Sequence, residues 1–286
     1  MRPNKKILQG LWYLLLTIPV LLFIYAPVAW LVASSVSTRA DLLAMPPHLF
    51  PAQPSFENYL NIILPGKAIS DVTQIFKVAL LNSFIVAVST TVICLVIAAF
   101  GGYALARMKL RHKDNIIVTI LSVRMIPEIS LVIPLFIVAS KLSLLDKPAV
   151  LILTYLSFAL PFALWMLTTF FETIPLELED AALIDGSSRL NTLFKVILPL
   201  ATPGIVSTAL FIFLLAWDEF FFALIFTSTT ASKTVPVAIA EFTGRYAVDI
   251  TAMMAAGVLA ALPPVILALI FQRYIVSGLS AGAVKG

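Results

Sequence analysis

Six stretches of this chain are each apolar over about twenty residues or more, the length that crosses a hydrocarbon core roughly 30 Å thick. They run approximately over Leu11–Val36, Val78–Ala106, Ile116–Ser140, Ala149–Phe171, Pro203–Phe226 and Thr251–Phe271. Lipid offers the backbone no water, so a spanning segment closes its own hydrogen bonds as a helix or joins a closed barrel. Barrel strands read as short alternating runs; none occurs, and several of the 18 prolines fall inside the apolar stretches. The expected fold class is all-α, a polytopic membrane protein with six transmembrane helices in a single domain over residues 1–286. Composition agrees: 60% apolar and 12% charged, about half the charge of a soluble domain. Basic residues ahead of the first run look superficially like a signal peptide, but the run is too long and has no clear small-residue cleavage site. It is read as an uncleaved span.

Orientation follows from the basic residues of the loops. With the N-terminus inside, eleven lie on the cytoplasmic side (Arg2, Lys5, Lys6, Arg107, Lys109, Arg111, Lys113, Arg189, Lys195, Arg273, Lys285) and seven outside. The Arg107–Lys113 loop gives the clearest bias, so N-in and C-in is expected. The basic residues form no patch interleaved with aromatics, which argues against nucleic acid. Cys94 stands alone, and His48 and His112 fall on opposite sides, so no metal site is expected. In the first outer loop, Ser55 can cap a short interfacial helix over SFENYLNIIL.

One polar segment of about thirty residues, Glu172 to Leu200, interrupts this apolar pattern and falls on the inner side. Pro175 can open a first helical run with Leu176, Ala181, Leu183 and Ile184 at helical spacing. Gly186 can break the chain before a second run, Leu190, Leu193, Phe194, Ile197 and Leu198, which ends at Pro199. A helix–turn–helix of this kind, rich in acids, suits docking to another protein. No nucleophile, metal or phosphate-loop motif accompanies it, so a nucleotide that powered this protein would bind to another chain.

The spacing Asp180-Ala181-Ala182, three residues, Gly186, nine residues, Val196, one residue, Leu198-Pro199 resembles the cytoplasmic "EAA" signature of permease subunits of binding-protein-dependent ABC importers. Asp180 stands for the usual glutamate and Val196 for the usual isoleucine. Arg124-Met125-Ile126-Pro127, Trp217-Asp218-Glu219-Phe220 and the tail from Gln272 to Gly286 look like the maltose-type carbohydrate permeases. The resemblance implies a type I importer domain in the inner membrane, with a coupling helix seated on an ATPase subunit. Its coupling residues would be Glu179, Asp180, Ala181, Ala182, Asp185, Gly186, Leu198 and Pro199. Gly282 and Lys285 of the tail would touch the same subunit. It also implies the partners: a second homologous permease, two cytoplasmic ATPase subunits that hold ATP and Mg, an external sugar-binding protein, and the lipid bilayer. This chain itself would bind no cofactor.

Charges inside spans are costly and mark pathways. Arg124 and Glu128, four apart on what reads as one helix, can pair with each other, or Arg124 can reach Asp218 and Glu219. Either arrangement makes them candidates for gating. Asn82, Ser83, Tyr155, Trp165 and Trp217 are candidates for sugar contact by residue type and position; helix packing is the competing reading for each. Prolines 27, 127, 134, 161, 263 and 264 can kink spans around a cavity or simply reflect membrane-helix usage. The implied function is ATP-driven import of a di- or oligosaccharide, maltose- or trehalose-like. Glycerol phosphate or a sugar alcohol is an alternative cargo, though a lone arginine in the spans favours a neutral one. An ion-coupled secondary transporter or channel is the alternative of another class.

Overall fold

A computed structural model describes residues 5–46, 48–51, 53–64, 71–242 and 250–283. All regular elements among them are helical. They fall into two compact units, Met1–Phe76 with Ile239–Leu262, and Lys77–Ala238 with Pro263–Gly286.

In the first unit, helix α1 (Lys5–Ser35) exposes every side chain from residue 13 to residue 30, Phe23 to 84%. Apolar surface of that extent needs lipid or protein cover. Beyond α1 the chain turns back on itself. Ser35 shares a 2.6 Å hydrogen bond with the Tyr59 hydroxyl, and the Ser55 N–H donates to Val36 O at 2.8 Å. Helix α2 (Arg39–Leu43) is closed by a capping box between Thr38 and Asp41. The short outer-loop helix expected from the sequence is α3 (Glu57–Ile63), but its cap position is Phe56 rather than Ser55. Ser55 still accepts from the Glu57 N–H at 3.4 Å.

The helices that follow α3 are α4 (Asp71–Arg107), α5 (Lys113–Ser122), α6 (Glu128–Lys141) and α7 (Pro148–Glu172). Then come α8 (Leu176–Ile184), α9 (Arg189–Thr192), α10 (Leu198–Leu200), α11 (Thr202–Trp217) and α12 (Phe221–Phe226). Two more, α13 (Val235–Glu241) and α14 (Ile250–Ala283), complete the order. Four apolar stretches are continuous helix: Tyr13–Ser35, Ile75–Arg107, Pro148–Glu172 and Ile250–Tyr274. The other two expected spans are broken.

The third bends by 89°. A single 3-10 turn, Val123–Met125, ends α5, and Pro127 forces Ile126 into extended backbone (φ −74°, ψ 123°). The one-helix expectation for Arg124 and Glu128 therefore does not hold: they lie on opposite sides of a break. The fifth span stops at Trp217, and α12 restarts at Phe221. At the N-terminal end of α11 the run Arg189–Leu200 meets it at 79°. That run contains a π turn over Leu193–Ile197, where the Leu198 N–H bonds Leu193 O. Pro199 has no N–H to offer, so the hydrogen-bond ladder has to shift near it.

The core of the second unit surrounds α7. Ala163, Leu167 and Phe171 are fully buried beside Cys94 and Ala98 of α4, Leu193 and Ile197 of the π turn, and Ile212 of α11. Glycines set the helix separations. A Cβ on Gly102 would come within 3.2 Å of the Thr168 nitrogen, and one on Gly204 within 2.3 Å of the Phe170 ring. Small residues at such crossings let membrane helices pack backbone to backbone.

Candidate functional site

The polar segment folds as two helices about one turn. Pro175 precedes α8 in extended conformation (φ −55°, ψ 136°), and Glu177 and Glu179 occupy the first turn, where acids complement the positive end of the helix. At the other end Gly186 takes φ +82°. Its N–H bonds Leu183 O at 3.1 Å, and the Ser187 N–H reaches Ala182 O at 3.0 Å. This is a Schellman closure, which places a left-handed residue just past the helix. A Cβ on Gly186 would meet nothing within 4 Å, so backbone conformation, not crowding, asks for glycine. Ser188 then caps α9 by accepting from the Asn191 N–H at 3.3 Å.

α8 has two unlike faces. Glu179 is only 4% exposed. Its Oε1 accepts the Tyr103 hydroxyl at 2.6 Å, and its Oε2 lies 3.1 Å from Arg107 Nε. That second approach is an ion pair without hydrogen-bond alignment. Arg107 also donates Nη2 to Ile174 O at 2.7 Å. Asp180, Ala181, Asp185 and Gly186 are exposed, as is Ile184 at 85%. Ala182 is half-buried, Leu198 is half-buried and Pro199 is exposed. The coupling candidates thus divide: Glu179 points into the protein, while Asp180, Ala181, Ile184, Asp185 and Gly186 form an outward edge of acids, small residues and one large apolar side chain. Beside this segment Lys113 pairs with Glu172. Helix α14 runs to Ala283 and so includes Gly282; Lys285 lies outside the described residues.

The candidate gating residues are not gathered. Arg124 and Glu128 are exposed on either side of the bend. Among the described residues no ion pair joins Arg124 to Glu128, Asp218 or Glu219. Asp218 is exposed. Glu219 serves another purpose: it accepts from Tyr155 at 2.5 Å and from the N–H groups of Phe222 and Ala223 at 2.8 and 3.1 Å. It thereby caps α12 and ties it to α7.

The candidate sugar contacts are mostly occupied within the chain. Asn82 Nδ2 donates to Ala231 O at 2.9 Å and Lys233 O at 3.0 Å, and the Ser83 hydroxyl accepts from the Val235 N–H at 2.8 Å. Tyr155 is 1% exposed, and Trp217, 2% exposed, stacks on Phe213 with centroids 5.5 Å apart. Trp165 is 42% exposed. The 228–235 loop is fastened from a second side by Asp146, whose Oδ1 accepts from the N–H groups of Ser228 and Thr229 at 2.8 and 2.9 Å and from the Ser232 hydroxyl. Burial pushes the Asp146 pKa up, but the Ser232 hydroxyl and the two N–H groups outweigh it. Together they hold the carboxyl well below the usual carboxylate range.

Tyr103 and Asp146 are not among the residues the sequence singles out, and Arg107 enters there only as a basic loop residue, not as a partner of Glu179. Tyr103 and Arg107 carry a signal, being one helical turn apart at the polar end of a span and so able to share one partner. Asp146 carries none beyond being a lone acid in the Lys141–Pro148 connection.

Residues 98–281 match the family described as "Binding-protein-dependent transport system inner membrane component". The sequence is 40% identical over 260 residues to the sulfoquinovosyl glycerol transport system permease protein SmoH of Agrobacterium fabrum, covering 91% of this chain and 88% of the relative. It is 39% identical over 261 residues to the trehalose/maltose transport system permease protein MalG of Thermococcus litoralis, covering 91% of each. Identity to the trehalose transport system permease protein SugB of Mycobacterium tuberculosis is 40% over 262 residues, covering 91% of this chain and 92% of the relative. The fold is similar to a crystal structure of a bacterial ABC transporter involved in the import of the acidic polysaccharide alginate. The TM-score is 0.78 at 22% identity, over 96% of this chain and 98% of that one.

Proposed function

This chain belongs to the family of binding-protein-dependent transport system inner membrane components, and we propose that it is one of two permease subunits of an ATP-driven carbohydrate importer. It is a transport component rather than an enzyme. The cargo class follows from the relatives, whose names specify sugar-bearing compounds of different kinds. Within it we favour a neutral di- or oligosaccharide, maltose- or trehalose-like.

The observation that carries the coupling role is the outward edge of α8: exposed Asp180, Ala181 and Asp185 beside an uncrowded left-handed Gly186. In the N-in, C-in orientation favoured by the basic loops this edge faces the cytoplasm, where an ATPase subunit carrying ATP and Mg would seat on it. ATP-driven closure of two such subunits would bring the paired docking edges together and shift the spans between two packed states, and hydrolysis would reset them. No covalent step falls to this chain. Arg124, Glu128 and Asp218 are exposed within or beside spans, where a charge needs water or a second chain. That supports a pathway shared with a second permease.

The test is uptake by proteoliposomes holding both permeases and the ATPase, with the cognate binding protein outside. Labelled maltose or trehalose should enter and be displaced by unlabelled disaccharides. Uptake of glycerol phosphate or a sugar alcohol in preference to any disaccharide would contradict the cargo assignment.

A further inference from the structure

We propose that Tyr103, Glu179 and Arg107 form a positioning cluster that makes α8 and the last turn of α4 move as one body, delivering any displacement of α8 to the long span α4. This rests on the docking role proposed above and names the residues through which docking would act.

The link is built on one side of α8 only. Glu179 and Arg107 pair with side chains 6% and 4% exposed, although both flanking residues, Leu178 and Asp180, face outward. A buried pair of this kind adds little to stability over an apolar contact, yet removing one partner strands a charge and is costly. It therefore holds one arrangement of the two helices far better than any displaced one. Arg107 also grips the chain entering α8 through Ile174 O at 2.7 Å, and the Tyr103 ring packs edge-on to Phe171 at 6.5 Å between centroids. At the other end α8 closes on the Gly186 turn and packs against α9 and the π turn, with no ion pair among the described residues. Gly186 is exposed, and no atom lies within 4 Å of where its Cβ would stand. Because the buried ion pair that α8 makes among the described residues is to α4, a push on α8 is carried to α4.

Hydrogen exchange of the complete transporter, with and without ATP and vanadate, reads this directly. In the wild type, amides 100–107 and 176–184 should change protection together. In Glu179→Gln the response should be confined to 176–184, and the ratio of sugar imported to ATP hydrolysed should fall about tenfold, a typical coupling energy between sites. Tyr103→Phe keeps the ring and removes only the hydroxyl, so a smaller loss in the same direction is expected. A folded, assembled Glu179→Gln complex in which both segments still respond together would overturn the proposal. If that variant fails to fold, Tyr103→Phe decides by the same two readouts, and a joint response with an undiminished ratio overturns it. A wild-type complex in which 176–184 gains no protection from the ATPase subunits would instead overturn the docking reading, and the link with it.

Discussion

The hydroxyl of Tyr155 donates to Glu219 Oε2 at 2.5 Å, joining the buried middle of α7 to the break that separates α11 from α12. The same carboxylate accepts the N–H groups of Phe222 and Ala223. An acidic pair inside an apolar run looked in the sequence like pathway chemistry; half of it is a helix cap. Tyr155→Phe leaves Glu219 with its backbone donors but without the phenol. A hydrogen bond to a charged group contributes about 1.5–3 kcal/mol, so a lower unfolding temperature in detergent is expected. Glu219→Ala removes the cap as well and should lower it further.

Gly186 tests conformation against size. A side-chain-bearing residue in left-handed backbone costs roughly 1–2 kcal/mol, and asparagine tolerates it best. Because the space around Gly186 is open, Gly186→Asn should import sugar nearly as the wild type does. Gly186→Val should insert all its spans yet import less per ATP hydrolysed. Equal behaviour of the two variants, measured as uptake against hydrolysis, would contradict the hinge.

Gly204 is limited by room. Its Cβ would fall 2.3 Å from Phe170 Cγ, a ring atom next to the backbone that cannot swing away. Gly204→Ala should destabilise by about 1–3 kcal/mol through overpacking, and it should cost less in a Phe170→Ala background, where the Cγ it would strike is gone. Thermal unfolding of Gly204→Ala in the two backgrounds checks both statements.

Asp146 predicts a pH dependence. Its folded pKa lies below the unfolded value of about 3.9, so its contribution is fully present above that pH and is lost as pH falls through the folded value. Asp146→Asn should remove that part of the acid sensitivity. Its 228–235 loop should also become more open to protease at neutral pH, because the asparagine is a weaker acceptor for Ser228, Thr229 and Ser232. Limited proteolysis across a pH series checks both.

The long spans were legible because lipid makes hydropathy and length decisive. Hydropathy, however, does not record the path of the chain. Pro127 was visible as a possible kink, but the reorientation at Ile126 and the loss of the Arg124–Glu128 register needed the backbone. The turn at Gly186 was legible for the opposite reason: Gly186, Pro175 and the flanking apolar periods are local signals, and the local geometry follows them. Glu179 and Asp180 are neighbouring acids, and although the signature spacing begins at Asp180, nothing local in the sequence says which of the two turns inward. A step of about 100° around a helix sends one inward to Arg107 and the other outward, and only the position of α4 decides which. Asn82 and Ser83 were named for a ligand and instead hold a loop some 150 residues away in sequence, a pairing that no periodicity encodes.

A separate ATPase and an ion gradient as the driving force are separated by labelled-disaccharide uptake into proteoliposomes with the ATPase subunits present or omitted. Uptake should require the ATPase, ATP and Mg, and be indifferent to dissipation of proton and sodium gradients. Uptake that persists without the ATPase and collapses with an ion gradient would contradict ATP-driven import.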